Sequence, residues 1–352
     1  MYKIIMKNLK IAMLAPIAWR TPPRGYGPWE LVTSNLTEGL INKGFNVTLF
    51  ATKDSITKAR LHAVCPRGYE EDKTIDREVW KLMHISEVFE RADQFDIIHN
   101  HFDYPVLTYS KIVKTPVLTT IHGFSSPDIY PVYEKYNDNT YYVSISESNR
   151  YEKLNYIATV YHGIDLKDFT FNPNGGDYLV FLGRISYEKG TYEAIQIAKK
   201  VNKKLIIAGI IQDPDYYNAK VRPFLTNETT KFIGPIGPEE RDNLLGNALA
   251  LLHPIMSPEG FGLVLTEAMA CGTPIIGFDR GSVKEVVKHK KTGFVVNNIS
   301  EAVKSIKNLD TINRIDCRKR VEKYFAIEYM VNNYIEVYNK IISLEGKKNV
   351  NY

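Results

Sequence analysis

The chain contains little cysteine and no long apolar run. Of its 352 residues only three are cysteine, and these lie far apart, at Cys65, Cys271 and Cys317. An odd, widely spaced set does not build the disulfide framework of a secreted protein, and no pair has the CxxC spacing of a zinc site. The apolar runs, such as residues 178–182, fall far short of the roughly 20 residues that span a bilayer. These absences predict a cytoplasmic protein without a transmembrane helix.

The sequence also predicts no signal peptide, and its net charge is small. The opening MYKIIMKNLKIAML lacks a small-residue cleavage site, and its apolar run predicts a buried first strand. The net charge is only +5, and basic clusters such as residues 284–291 are typical of solvated helix faces. No basic stripe with interleaved aromatics is present, so we expect no nucleic-acid partner. Peripheral contact with anionic lipids on the inner face of the membrane stays open as an alternative.

Short apolar runs bounded by Gly, Pro, Asp or Asn recur along the chain. Six precede a polar stretch at residues 165–177, namely KIAMLAPI, FNVTLFAT, DIIHNH, PVLTTIHG, YYVSIS and ATVYHGI. Six follow it, namely YLVFLGRI, KLIIAG, TKFIGPI, LALLHP, PIIGFD and GFVV. Helical periodicity lies between several of them, for example at residues 29–43, and this alternation predicts mainly parallel α/β sheets.

The polar stretch at residues 165–177 interrupts this alternation, which predicts two similar, doubly wound, Rossmann-like domains with a ligand cleft between them. We place the first domain at residues 1–168 and the second at residues 169–324. Residues 325–352 have helical spacing of apolar residues, which predicts a C-terminal helix that crosses back towards the first domain and packs across the junction.

The segment EGFGLVLTEAMACGTP, from Glu259 to Pro274, carries two carboxylates around a glycine-containing turn. Its helix should begin near Gly262, with Glu259 ahead of it and Glu267 about one turn inside, on an otherwise apolar face. A helix start entered through glycines suits a diphosphate, and a carboxylate on each side suits sugar and ribose hydroxyls. In simpler interpretations Glu259 only complements the helix dipole, worth about 0.3–1 kcal/mol, and Glu267 pairs with a structural lysine.

A second segment, FLGRISYEKG, places two cations after a strand. Arg184 lies at the carboxyl end of that strand, where open α/β sheets bind ligands, and Lys189 lies in the following loop. Together they would neutralise a diphosphate. The alternative is surface pairing with Glu188 or Glu193, which contributes little.

These segments carry a family resemblance. FLGRISYEKG, GPIGPEERDNLLGNALALLHP and PEGFGLVLTEAMACGTPIIGFDRGSVKEVVKHKKTGFVV resemble the nucleotide-sugar domain of family 4 retaining glycosyltransferases of the GT-B architecture. In the first half, GYGPWELVTSNLTEGLINKGFNVTLFAT, FDIIHNH, TTIHG, VSISES and VYHGID are similar to the same family in the same order. The resemblance covers nearly the whole chain, and the E-x7-E element in its GFG and CGTP context is specific.

The resemblance implies transfer of a hexose, glucose or mannose, from a UDP- or GDP-sugar to a hydroxyl acceptor, either a saccharide or a lipid-linked one. No metal and no further cofactor are implied. The catalytic residues would be His122, Glu259, Arg184 and Lys189. The implied donor-binding residues, with Glu259 on the sugar and Glu267 on the ribose, are Gly25, Gly27, Gly183, Arg184, Lys189, Glu259, Gly260, Phe261, Gly262, Leu263 and Glu267.

The chain departs from the family at two places. The glycines of the first loop are separated by Tyr26 in RGYGPWE, which weakens the expectation of phosphate contact there. His162 stands where the family often has Asn before its GID or GVD triplet.

Other functions compete with this interpretation. An epimerase or a phosphorylase on the same fold is the nearest alternative, followed by a sugar-binding module without turnover. A metal-dependent hydrolase would use His99, His101 and His122. Asp213 and Asp215 imitate a metal-binding DxD motif, but the intervening proline favours a turn ahead of a helix. A dehydrogenase is excluded because the first strand lacks the GxGxxG fingerprint.

Overall fold

A computed structural model describes residues 9–226 and 228–350 and separates the chain into two units. The first unit runs to Gly163 and includes the C-terminal segment from Ile327 onward. The second unit comprises the residues between them. This boundary lies slightly ahead of the expected one after residue 168.

The first unit is a parallel sheet flanked by helices. Its strands pair in the order β3-β2-β1-β4-β5-β6-β7, and their bounds are β1 (Lys10–Leu14), β2 (Asn46–Phe50), β3 (Arg60–His62), β4 (Ile97–Asn100), β5 (Val117–Ile121), β6 (Tyr141–Ser144) and β7 (Tyr156–Thr159). Its first helices are α1 (Pro28–Asn42), α2 (Arg77–Phe89) and α3 (Tyr130–Lys135). The central strands β1, β4 and β5 are buried along almost their whole length, as a parallel sheet covered by helices on both faces requires.

The second unit repeats this design. Its strands pair in the order β10-β9-β8-β11-β12-β13, with bounds β8 (Tyr178–Leu182), β9 (Leu205–Ala208), β10 (Thr230–Phe232), β11 (Ala248–His253), β12 (Ile275–Phe278) and β13 (Gly293–Val296). Its helices are α4 (Thr191–Lys200), α5 (Pro214–Tyr216), α6 (Pro238–Gly246), α7 (Leu263–Ala270), α8 (Val283–Val286), α9 (Ile299–Ile306) and α10 (Arg314–Tyr324). The two ends of the unit lie side by side, since Ile164 N donates to Phe325 O at 2.9 Å.

Every apolar run that predicted a strand forms one, so the doubly wound α/β class is confirmed. The strand that the sequence missed is β3. It has three residues and begins with the exposed Arg60, so it offers neither an apolar run nor a clean alternation.

Both sheets reverse their strand order next to the first strand of the unit. In the first unit the reversal lies between β1 and β4, and in the second it lies between β8 and β11. Loops that follow such a pair of strands diverge to opposite sides of the sheet and leave a crevice at the carboxyl ends, where open α/β sheets bind ligands. The segments after β8 and β11 contain most of the residues that the sequence predicts for the donor, and the other two, Gly25 and Gly27, follow β1.

The last helix, α11 (Ile327–Val350), belongs to the first unit, where it packs on α1. The two helices approach closely at Gly39, because a Cβ added there would lie 2.4 Å from Val331 Cγ2. Among the helices of residues 9–226 and 228–350, none is long and apolar enough to cross a bilayer.

Two buried tyrosines of α11 complete a hydrogen-bonded cluster at the centre of the first sheet. Tyr338 Oη lies 2.7 Å from His99 Nδ1, and Tyr334 Oη lies 2.7 Å from Thr120 Oγ1. The other ring nitrogen of His99 lies 2.8 Å from Thr120 Oγ1. Buried polar groups are costly unless they are paired, so this cluster ties α11 to β4 and β5.

We predict that Tyr338→Phe destabilises the first unit by about 1–3 kcal/mol, because His99 Nδ1 is then buried without a partner. The measurement is urea unfolding followed by tryptophan fluorescence, which reports on this unit because Trp19, Trp29 and Trp80 all lie in it. Tyr187→Phe, at an exposed tyrosine of the second unit, is the control and should leave the transition unchanged. An unchanged transition in Tyr338→Phe would contradict the stabilising role of the cluster.

Candidate active site

Glu259 is the centre of a charged cluster in the second unit. Its Oε2 lies 2.8 Å from Lys189 Nζ and 3.1 Å from His253 Nε2, and its side chain is only 13% exposed. The burial by itself would raise the pKa of Glu259, but the close contact with the His253 ring and the charge of Lys189 outweigh it and lower the pKa to about 2. Glu259 is therefore a carboxylate at neutral pH.

The backbone around Glu259 is held from a neighbouring loop. Ser282 N donates to Glu259 O at 2.9 Å, and Ser282 Oγ donates to Phe261 O at 2.9 Å. Gly281 allows this approach, because it has a φ of 60° and a Cβ there would lie 2.3 Å from Glu259 O. The Glu-Gly-Phe turn is thus fixed before any ligand arrives.

Helix α7 begins where the sequence predicts. Its N-cap is Gly262, with a φ of 82°, and within the described chain no side chain caps this helix. Phe261 is buried against Phe325, so only its backbone faces the turn. Free N–H groups at the start of an α-helix attract anions, and this start directly follows Glu259.

Arg184 and Lys189 lie in the loop after β8. Gly183 continues the pairing of β8 with β9, since Gly183 N donates to Ala208 O at 3.1 Å, and Arg184 follows it half-buried. Within the described residues Arg184 makes no ion pair or hydrogen bond with Glu188 or Glu193, and its charge acts on Glu188 only at longer range. An arginine in this state is available to an anion.

Glu267 is partnered by a residue that the sequence analysis missed. Arg241 Nη1 donates to Glu267 Oε1 at 2.9 Å, whereas the simpler interpretation of Glu267 had considered a lysine. Glu267 is 6% exposed; burial raises its pKa and Arg241 opposes this shift. His253 was also missed. Arg241 comes from α6, 26 residues before Glu267. His253 ends β11 shortly before Glu259, but neither residue stands at a spacing that marks it as a partner of a carboxylate.

Three histidines of the first unit form a hydrogen-bonded chain. His101 Nδ1 lies 2.9 Å from His122 Nε2, and His122 Nδ1 lies 3.3 Å from His162 Nε2. Trp29 stacks on His122 with ring centroids 5.2 Å apart. A neutral imidazole has one N–H, so His122 donates to one neighbour and accepts from the other, and the tautomers of all three rings are coupled.

Burial lowers the pKa of each of these histidines, that of His162 to about 3, so they are neutral at pH 7. Both nitrogens of His122 are engaged within the chain, and those of His99 are bonded to Tyr338 and Thr120. His101 Nε2 is buried without a hydrogen-bond partner in the described chain. In the part of the chain that the structure describes, no group of three His, Cys, Asp or Glu is arranged to hold a metal ion. The geometry therefore argues against the hydrolase interpretation.

The loop between β1 and α1 holds the two glycines predicted for donor contact. Gly27 has a φ of 153°, and a Cβ there would lie 2.7 Å from Pro23 Cβ, so glycine is required. Gly25 is exposed, and a Cβ there would meet no atom within 4 Å. Gly25 is therefore not required by packing.

The turn predicted at Asp213 is confirmed. Asp213 Oδ1 accepts a hydrogen bond from Tyr216 N at 2.9 Å and caps the short helix α5. Asp213 thus acts as a helix cap.

We predict that His162→Asn reduces the loss of stability of the first unit between pH 7 and pH 5. The pKa of His162 is about 3 in the folded chain, compared with the ordinary value of 6.5 that applies to the unfolded chain. Below pH 6.5 only the unfolded chain therefore binds a proton at this residue, and the free energy of unfolding falls. Replacing His162 by Asn should make this pH-dependent loss of unfolding free energy smaller by about 1–2 kcal/mol. Urea unfolding at both pH values, read by tryptophan fluorescence, measures this. An identical loss in wild type and variant would show that His162 is not neutral when folded.

Two family models match the chain. One, described as glycosyl transferases group 1, matches residues 165–324, and the other, described as Glycosyltransferase Family 4, matches residues 30–168. An uncharacterised glycosyltransferase of Methanocaldococcus jannaschii is 24% identical over 340 residues, which cover 82% of this chain and 85% of the relative. The N-acetyl-alpha-D-glucosaminyl L-malate synthase of Bacillus anthracis is 25% identical over 340 residues, covering 80% and 87%.

Solved structures share the fold. Sucrose-phosphate synthase of Thermosynechococcus elongatus superposes with a TM-score of 0.77 at 18% identity, covering 96% of this chain and all of the other. The Anabaena protein HepE, crystallised in complex with UDP and glucose, superposes with a TM-score of 0.72 at 16% identity, covering 95% of this chain and all of the other. At these identities the likeness establishes the GT-B architecture with its two Rossmann-like domains.

Proposed function

The chain belongs to family 4 of the glycosyltransferases, and from that premise we propose that it transfers a hexose from a UDP- or GDP-sugar with retention of the anomeric configuration. The observation that carries the proposal is the order of groups along one loop and helix. Glu259, the uncapped start of α7 and Glu267 follow one another at the reversal of strand order in the second unit. Sugar hydroxyls, diphosphate and ribose hydroxyls have the same order in a nucleotide sugar.

Each part of the donor has a chemically matched partner. The start of α7, with the backbone of Gly260 to Leu263, binds the diphosphate, together with Arg184 and Lys189. Glu259 accepts hydrogen bonds from the hexose hydroxyls, and Glu267 accepts them from the ribose. The Anabaena protein crystallised with UDP-glucose supports a nucleotide-sugar donor for this fold.

Lys189 has two partners in this proposal. In the ligand-free chain it is bonded to Glu259, at 2.8 Å. When a diphosphate arrives, Lys189 turns to the phosphate, and Glu259 exchanges the ammonium for sugar hydroxyls while His253 stays beside it. Glu259 is thereby kept charged in both states, which avoids an unpaired buried carboxylate.

The reaction breaks the bond between the anomeric carbon and the phosphate oxygen and forms a bond from that carbon to the acceptor oxygen on the same face. The leaving phosphate oxygen takes the proton of the acceptor hydroxyl. Arg184, Lys189 and the start of α7 stabilise the negative charge that develops on the diphosphate, without a metal ion. A side-chain nucleophile is not required.

We assign binding of the acceptor, a saccharide or a lipid-linked sugar, to the first unit. We place the protein in the cytoplasm, where a lipid-linked acceptor would be reached at the inner face of the membrane. His122, Gly25 and Gly27 keep the substrate contacts that the family resemblance implies. Both nitrogens of His122 are engaged by His101 and His162, so it would contact substrate through its ring, or after one bond opens. The 3.3 Å bond to His162 is the longer one and the first that would open.

We predict that a UDP- or GDP-hexose raises the thermal stability of the second unit in the presence of a chelator. A ligand at about 100 times its dissociation constant adds roughly 2.7 kcal/mol to the free energy of unfolding. The measurement is a thermal-shift screen of UDP-, GDP- and ADP-hexoses with EDTA. A shift that appears only after a divalent ion is added would contradict the metal-free arrangement of Arg184 and Lys189.

Product analysis separates the transferase from its alternatives. With the donor that binds, NMR of the products should show an α-linked glycoside from an α-linked donor, formed only when an acceptor is present. Conversion of the donor sugar without acceptor would indicate an epimerase. Release of hexose 1-phosphate with inorganic phosphate would indicate a phosphorylase, and binding without any product would indicate a sugar-binding module.

A further inference from the structure

Arg241 is bound to the carboxylate that is assigned to the ribose. Arg241 lies on α6 and Glu267 on α7, and their ion pair joins Nη1 to Oε1 at 2.9 Å. The second oxygen of Glu267 has no hydrogen-bond partner among the described residues. One oxygen is therefore anchored by the protein, and the other is left as a free acceptor.

The guanidinium of Arg241 is itself held in place. Its Cζ lies 5.0 Å from the ring centroid of Phe169, and its side chain is only 21% exposed. Arginine stacks on aromatic faces while its N–H groups bond in the plane, so this contact fixes the direction of the bond to Glu267. The Nε of Arg241 is buried without a hydrogen-bond partner in the described chain, so one of the donors of this side chain is unused.

The pair is needed because of the surroundings of Glu267. Glu267 lies on a helix whose other residues are apolar or small, and Asp168 adds a like charge nearby. A buried carboxylate without a cation is costly and takes up a proton, which converts one of its acceptor oxygens into a donor. Arg241 opposes both effects.

We propose that Arg241 is a positioning residue of the nucleoside site, which anchors one oxygen of Glu267 so that the other is presented to a ribose hydroxyl of the donor. This inference rests on the proposed function. It adds that discrimination for ribose depends on a residue that contacts Glu267 and not the donor itself.

The test compares nucleotides with and without ribose hydroxyls. UDP and GDP, and their 2′,3′-dideoxy counterparts, are titrated calorimetrically into the full chain and into Arg241→Met, Arg241→Lys and Glu267→Gln. Hydrogen bonds to a charged group predict that the wild type prefers the ribonucleotide by about 10- to 100-fold. Arg241→Met should lower this preference to about twofold or less, and Arg241→Lys, which keeps the charge without the fork, should retain part of it.

A double variant identifies the route of the effect. If Arg241 acts through Glu267, Arg241→Met with Glu267→Gln loses no more preference than either single variant. Arg222→Met, an exposed arginine of the same unit, is the matched control and should bind like the wild type. Urea unfolding checks that each variant is folded. If Arg241→Met does not fold, the comparison is made with Arg241→Lys instead.

The outcomes distinguish this inference from the proposed function. Binding of neither UDP nor GDP by the wild type would contradict the function itself, before any variant is compared. If Arg241→Met keeps the wild-type preference for the ribonucleotide, the role of Arg241 is overturned while the proposed function stands. Additive losses in the double variant would overturn it as well, because Arg241 would then act independently of Glu267.

Discussion

A mostly buried carboxylate that stays charged is the constraint on which the site depends. Glu259 remains ionised because Lys189 and His253 lie within 3.1 Å of one of its oxygens. Removing one partner of such a pair is strongly destabilising, since the remaining charge stays buried. The glycine turn, the loop that carries Ser282 and the loop that carries Lys189 therefore have to be placed together. Met256 N donates to Glu188 O at 2.8 Å, which joins the last of these to the segment before Glu259.

The two carboxylates of the motif are neutralised in different ways. Glu259 is paired with Lys189, a flexible point charge that a diphosphate can also attract. Glu267 is paired with Arg241, whose stacking on Phe169 keeps it where it is. An exchangeable partner suits a carboxylate that must release its cation when substrate binds, and a fixed partner suits one that serves only as an acceptor. The pattern of cations thus fits the proposed roles, with Glu259 on the sugar and Glu267 on the ribose.

Much of this arrangement could be predicted from the sequence, because it is local. The strands, the start of α7 at Gly262 and the placing of Arg184 and Lys189 after β8 all follow from periodicity and from glycine. The partners of the carboxylates could not be predicted in this way. His253 and Arg241 carry no spacing signal toward Glu259 and Glu267. The histidine chain was predicted only in part. The sequence brings His101 and His122 together at neighbouring strand ends, whereas His162 joins them only when the segment after β7 is aligned in the same sheet.

The central claim is that Glu259 binds the hexose and not the nucleotide. The most direct test is calorimetric titration of wild type, Glu259→Gln and the exposed control Glu239→Gln, with the nucleotide sugar that binds and with the corresponding nucleoside diphosphate. The account predicts that Glu259→Gln weakens the binding of the nucleotide sugar by about tenfold or more. The diphosphate alone should bind this variant as tightly as wild type or more tightly, since Lys189 is released. Equal losses for both ligands, or no loss for either, would contradict the assignment.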